Sequence, residues 1–286
     1  MRILLDCIPC FQRQALQASR MCTNDENQQG KVLKKVMSYL IDADWFKTPP
    51  EVARDVHNIV KLELDVKDPY SKVKKEFNQK ALEMYDRLKK EVLSSNDRVL
   101  TALKLAIAGN IIDFGAYDII ELEKMVEKSL NEPLAIDNSE KLKNDLKTAK
   151  KLIILADNAG EIVFDKLLIE TLLNQTNLEN IEIVVKGGPF INDATMEDIK
   201  AIGLDKIEKV TIKEIGNFNP FKKSSFLEYS DSEFIDYLKT FDIVICKGQA
   251  NYELFSEYND FYFLLVSKCP FIAKNAGSKI LDILLI

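Results

Sequence analysis

Asp157 and Asn158 follow an apolar run, Leu152-Ile153-Ile154-Leu155-Ala156, and precede Ala159-Gly160-Glu161 and a segment whose Ile162-Val163 and Leu167-Leu168 form an apolar helical face. An acid beside an amide offers the hard oxygen donors that magnesium or manganese takes. An unbroken apolar run bounded by turn residues suits a strand buried on both faces of a parallel sheet. Asp157 and Asn158 then stand at the strand's carboxyl end, the edge where open α/β sheets bind ligands. The plainer alternative is that one of them only caps the following helix.

Four further stretches place polar residues just after apolar runs or at a helix end: Lys186-Gly187-Gly188-Pro189-Phe190-Ile191-Asn192-Asp193-Ala194; Lys247-Gly248-Gln249-Ala250-Asn251-Tyr252-Glu253; Lys268 after Phe261–Val266; and Gly109-Asn110-Ile111-Ile112-Asp113-Phe114-Gly115. Singly, each is ordinary loop chemistry. A parallel sheet brings equivalent strand ends to one edge, which would collect Asp157, Asn158, Asp193, Lys186, Lys247 and Lys268. Carboxylates for a cation beside lysines for an anion are the inventory of a metal-assisted phosphate site. A cation would neutralise a phosphate monoester, and the lysines would stabilise its equatorial oxygens.

Cys7 and Cys10 form a Cys-x-x-Cys pair, a spacing open to a structural role, to half of a second metal site or to a redox couple, with only Cys22 nearby in sequence. Cys246 and Cys269 lie in strand-like runs and are expected as small core residues. The single histidine, His57, sits in a polar helical stretch and is expected at the surface. One histidine cannot build a multi-histidine zinc site, so acid–base work falls to carboxylates or water.

The elements that must position these residues fall into two kinds. From Phe11 to about Leu130 the pattern is nearly all helical: Lys31–Leu40 repeats apolar residues at spacings of three and four, Thr48-Pro49-Pro50-Glu51 opens another helix, and Lys72–Leu93, Asn96–Ala108 and Tyr117–Leu130 follow. After Pro133, strands at Leu152–Ala156, Ile181–Val185, Lys209–Ile215, Phe241–Cys246, Phe261–Val266 and Phe271–Ala273 alternate with helices at 162–174, 194–202, 231–240 and 251–258. The expected architecture is α/β: a Rossmann-like parallel sheet with helices on both faces (133–286) and an N-terminal all-helical module or lid carrying the Cys-x-x-Cys segment (1–132). No glycine-rich nucleotide fingerprint is present. The chain has 286 residues and a net charge of −6, which argues against a general nucleic-acid surface. No apolar run is long enough to span a membrane, and the first residues do not form a signal peptide, so a cytoplasmic protein is expected. The oligomeric state is not readable.

Gly109-Asn110-x-x-Asp113, Asp157-Asn158-Ala159-Gly160-Glu161, Asn192-Asp193 and Lys247-Gly248-x-x-Asn251-Tyr252 together resemble, in order and over most of the chain, the DUF89 family of damage-control phosphatases with an ARMT1-like metal-binding domain. The pair Cys7-Ile8-Pro9-Cys10 resembles the opening of that family's prokaryotic branch. The resemblance implies a phosphohydrolase that depends on a divalent metal (manganese, nickel, cobalt or magnesium) and acts on small phosphorylated metabolites. It implies that Asp157, Asn158 and Asp193 are metal ligands, with Asp113 added on lid closure, and that Asp157 is also a nucleophile forming an aspartyl-phosphate. Glu161, Asn251 and Lys268 match the family's substrate contacts; Lys247 and Lys268 are expected to serve catalysis, and Asn110 and Lys186 to contact substrate. The sequence departs from the family's eukaryotic pattern at Gln249, Glu253 and Leu265-Val266-Ser267-Lys268, where an acid, a basic residue and Arg-Thr-x-Lys stand. Two basic groups are thereby lost, so a sugar-phosphate preference does not carry over. Two other classes stay open: a metal or small-molecule binder without turnover, and a transferase using a nucleotide or methyl donor on the same framework.

Overall fold

The computed structural model describes residues 1–111, 119–216 and 231–286. Six helices come first: α1 (Cys7–Cys22), α2 (Glu26–Ile41), α3 (Pro49–Leu64), α4 (Ser71–Ser94), α5 (Arg98–Gly109) and α6 (Ile119–Asn131). Strands and helices then alternate: β1 (Ile136–Asp137), α7 (Ser139–Asp145), β2 (Lys151–Leu155), α8 (Glu161–Gln175), β3 (Asn180–Lys186), α9 (Met196–Ile202), β4 (Val210–Ile215), α10 (Asp231–Leu238), β5 (Ile243–Lys247), α11 (Gly248–Phe255), β6 (Phe261–Val266), α12 (Pro270–Ala276) and β7 (Ile283–Leu285). The fold is the expected α/β one, in a seven-stranded sheet ordered β1-β7-β6-β5-β2-β3-β4. Its pairings are parallel except β6 with β7. The strand expected at Phe271–Ala273 is instead part of α12: Pro270 occupies its first turn and the Cys269 sulfur accepts from the Ile272 N–H, a helix start that a short apolar run conceals.

β2 lies between β5 and β3, where chain progression reverses direction. That reversal opens a crevice at the carboxyl ends of the strands. Residues on β2 alternate between two cores because successive side chains point to opposite faces. Leu152 and Ile154 pack with α4, α5, α6 and α8, whereas Ile153 and Leu155 pack with α10, α11 and α12. The first seventy residues build a separate apolar core from Phe11, Val32, Val36, Val52, Val56 and Val60. Residues 1–132 are thus shared between two cores, with α4 to α6 continuous with the sheet.

The α1–α3 core meets the α/β body through specific contacts. Lys61 Nζ donates to the Pro189 carbonyl at 2.5 Å. His57, expected at the surface, is only 1% exposed and packs its ring against Tyr70 and Phe190. Burial, reinforced by the Lys61 charge, pushes its pKa down to about 3, so it is a neutral core residue. No helix among the described residues is long and apolar enough to cross a membrane.

Candidate functional site: a carboxylate crevice at the sheet's switch point

The register aligns Leu155 with Cys246 on one side and Val184 on the other, so the loops after β2, β5 and β3 emerge side by side. The loop after β3 folds back onto the β2 loop: Ala159 N donates to Asn192 O at 2.8 Å, and Ala194 N to Asp157 O at 2.8 Å. These two bonds clamp Asn158 beside Asp193. Ile191 precedes them with φ of +44°, a strained value for a β-branched residue. Its side chain packs on the α1–α3 core while Asp193 lines the crevice.

Neither Asp157 nor Asn158 caps α8. The residue before that helix is Gly160, which makes no side-chain cap. Instead Asp157 Oδ2 accepts from Asn110 Nδ2 and Asn158 Nδ2, both at 2.8 Å. Each of those amides also reaches Glu161 Oε2, at 2.8 and 3.0 Å. Asn110 Oδ1 accepts from the Val266 N–H at 3.1 Å, which ties the end of α5 to β6. Gly248, with φ of +77°, comes so close that a Cβ there would sit 1.8 Å from Asp157 Oδ2. Only glycine permits this approach, a requirement that Lys247-Gly248 signals in the sequence.

A cavity of about 270 Å³ opens over these groups. The strand ends contribute Asp157, Asn158, Asn192, Asp193, Gln249 and Lys268; the start of α1 contributes Asp6, Cys7, Cys10 and Phe11, and α3 contributes Pro49, Pro50 and Ala53. Burial raises the Asp157 carboxyl well above its ordinary value, and the nearby Glu161 and Asp193 carboxyls raise it further against the pull of Lys268. Burial likewise lifts Asp193 to about 6, against the opposing pull of Lys186, whose Nζ lies 3.9 Å from Asp193 Oδ2. Carboxyls held up by burial and mutual repulsion, beside an asparagine, are a donor set that a hard divalent cation would relieve. Asp113 lies outside the described residues. Among those described, no three histidine, cysteine, aspartate or glutamate side chains converge as a metal cage.

Several expected contacts sit below the cavity rather than in its wall. Lys247 is completely buried and reaches Glu161 Oε1 at 2.9 Å, Asp165 Oδ1 at 2.7 Å and the Ala106 carbonyl at 2.7 Å. Burial raises Asp165 to about 7, while its carboxylate neighbours hold Lys247 up at about 12 despite burial. Asn251 donates 2.7 Å to the Lys247 carbonyl and 3.3 Å to the Leu155 carbonyl, stapling β5 to β2. Neither Glu161, Asn110, Asn251 nor Lys186 lines the cavity. Sequence reasoning missed Asn78, buried in α4, whose Oδ1 accepts from Gly160 N at 2.6 Å and whose Nδ2 donates to Asp198 at 2.8 Å; one asparagine in a charged helix carries no signal. It also missed Cys269 and Glu253, which line the cavity. Cys7 and Cys10 form the first turn of α1, and all five cysteines are free. Cys22 lies at the far end of that helix, so the third cavity sulfur is that of Cys269.

At the switch point of this doubly wound sheet, buried carboxylates and a lysine line one small cavity. The profile described as "Damage-control phosphatase ARMT1-like domain" matches residues 3–284, and the chain belongs to that family. An uncharacterized protein of Methanocaldococcus jannaschii is 37% identical over 98% of this chain and 94% of its own length. The damage-control phosphatase of Pyrococcus horikoshii is 33% identical over 96% of this chain and 94% of its own. The crystal structure of a DUF89 family protein from P. horikoshii covers 100% of this chain and 99% of its own, with a TM-score of 0.84 at 30% identity.

Proposed function

We propose that this protein is a divalent-metal-dependent phosphohydrolase acting on small phosphorylated metabolites. What carries the reading is the convergence of Asp157, Asn158 and Asp193 with Lys268 in the wall of one cavity, in a chain whose relatives are named damage-control phosphatases. Asp157, Asn158 and Asp193 would hold the cation. Manganese, nickel, cobalt or magnesium would supply positive charge for the phosphoryl oxygens and keep the carboxyls ionised. Lys268 adds a point charge for the phosphoryl group. The free carboxylate oxygen of Asp157 attacks phosphorus, the ester oxygen leaves and takes a proton from water, and water then cleaves the aspartyl-phosphate to inorganic phosphate and the free Asp157 carboxylate. Asn110 and the Asn158 amide aim the carboxylate from below, and the α1–α3 helices wall the cavity from water.

Hydrolysis of p-nitrophenyl phosphate across manganese, cobalt, nickel and magnesium tests this. Phosphate release that depends on one of these metals is expected. Tight metal binding without release under any of them would make the protein a binder instead. Thermal protection by a nucleotide or methyl donor, and not by phosphate with metal, would indicate a transferase.

A further inference from the structure

The cavity wall carries an acid that phosphate chemistry leaves unused. There α11 contributes Glu253, half-buried in the cavity wall. Its backbone carbonyl accepts from the Met1 nitrogen at 2.8 Å, and no side chain among the described residues pairs with its carboxyl, on which the amino-terminal charge acts. Burial pushes this carboxyl up to about 8, only partly offset by the amino-terminal charge. Burial raises the Cys7 and Cys269 thiols, and the Glu253 charge raises them further. Of the other charged side chains of the wall, Asp6 and Arg13 are exposed, and Lys268 acts on Asp157. Phe11, Phe190 and Phe271 complete the apolar lining.

A half-buried acid that no side chain pairs gains most from a cationic partner. Aromatic faces add to the attraction for an organic ammonium group. A second carboxylate beside Glu253 would force one of the two acids to stay protonated. A hydroxyl would bring one neutral hydrogen bond, about half as strong as a charge-assisted one. We infer that Glu253 is a specificity residue, selecting phosphate monoesters whose leaving group carries an ammonium or similar organic cation. This rests on the phosphohydrolase reading and names the substrate class for the same cavity.

The test is a kinetic series on the metal-loaded protein: matched ω-ammonio-, ω-hydroxy- and ω-carboxyalkyl phosphates of increasing chain length. At the length that spans the cavity, kcat/KM for the ammonium ester should exceed that of the hydroxyl ester by about tenfold or more, the scale of one hydrogen bond to a charged group. The carboxyl ester should rank last. In Glu253→Gln the ammonium-to-hydroxyl ratio should fall towards one, mostly through KM. In Glu253→Lys the carboxyl ester should overtake the ammonium ester. Equal rates or a hydroxyl preference in the wild-type series overturns the inference without any variant, as does an ammonium preference that survives Glu253→Gln. Absence of phosphate release from every ester, p-nitrophenyl phosphate included, overturns the phosphohydrolase reading itself and this inference with it.

Discussion

Two sets of charged residues lie one above the other at the switch point, and they use the same side-chain types for opposite ends. The upper set, Asp157, Asp193 and Lys268, lines the cavity. Its carboxyls are raised by burial and by one another, Lys268 opposes the rise at Asp157, and Lys186 opposes it at Asp193. The lower set, Lys247 with Glu161 and Asp165, is sealed from solvent and ion-paired within itself. The lysine there bridges two carboxyls and the end of α5, joining three elements under the site. Charge is kept available where a ligand can complete it and is consumed where the fold must be fixed. Residue type and strand-end position do not separate the two roles; access and pairing do.

The largest effect that would sharpen this contrast is at Lys247. Lys247→Ala leaves Glu161 and Asp165 buried together without their cation, and breaking a buried pair in this way costs about 3–5 kcal/mol. Denaturant melts should show that loss. Unchanged stability with lost turnover would move Lys247 into the upper set. Asp157→Asn should do the reverse. It keeps the shape and an acceptor for the Asn110 amide, so the melting transition should stay in place. Turnover should fall at least about a hundredfold, because the proposed nucleophile loses its anionic oxygen. A variant that turns over normally would reduce Asp157 to a structural residue.

The upper set was the more legible of the two in the sequence. Leu152–Ala156 reads as a buried strand because both faces of β2 are covered, and such strands carry continuous apolar runs. Asp157, Asn158, Asp193 and Lys268 follow from the strand ends, because parallel order alone delivers those ends to one edge. What stayed hidden depends on which way a side chain turns at an element's end. Lys247 and Lys268 both follow apolar strands, yet one is drawn under the sheet by Asp165 and the other reaches the cavity. Asn110 and Asn251 brace Asp157 and the backbone, which their place at an element's end does not reveal. The same limit applies to β1 and β7, which are two and three residues long and too short to leave a pattern. It applies to the cavity wall as well: the periodicity of α1 and α3 announces helices, but not that Cys7, Cys10 and Pro49 face Cys269 and Asp193 across a cavity.

Lys268→Ala should produce a smaller change than either variant above. Lys268 lines the cavity and favours the ionised form of Asp157, but the metal ligands are untouched. A loss of about tenfold in kcat/KM is expected, the value of one charge-assisted contact. Metal affinity, measured by calorimetry with manganese, should be retained. Metal loss that tracks this lysine would place it among the groups that build the cation site.

The smallest effect lies outside both sets, at His57, where the α1–α3 core meets Phe190 next to the cavity loop. The unfolded histidine takes a proton near its model value of 6.5, whereas the folded ring stays neutral down to about 3, chiefly because it is buried. Between those values the unfolded chain binds more protons, so stability rises with pH through this window and is lost as pH falls below about 6.5. One unit below that value the penalty should be about 1.4 kcal/mol. Carboxyl groups elsewhere titrate in the same range, so the informative quantity is the difference between wild type and His57→Phe, which keeps a ring but cannot be protonated. The variant's melting temperature should fall less than that of the wild type between pH 7.5 and 5.5. Identical slopes would mean that the ring is solvated at equilibrium, and that the α1–α3 helices open away from the Phe190 loop often enough for His57 to titrate as the surface residue its polar sequence context suggests.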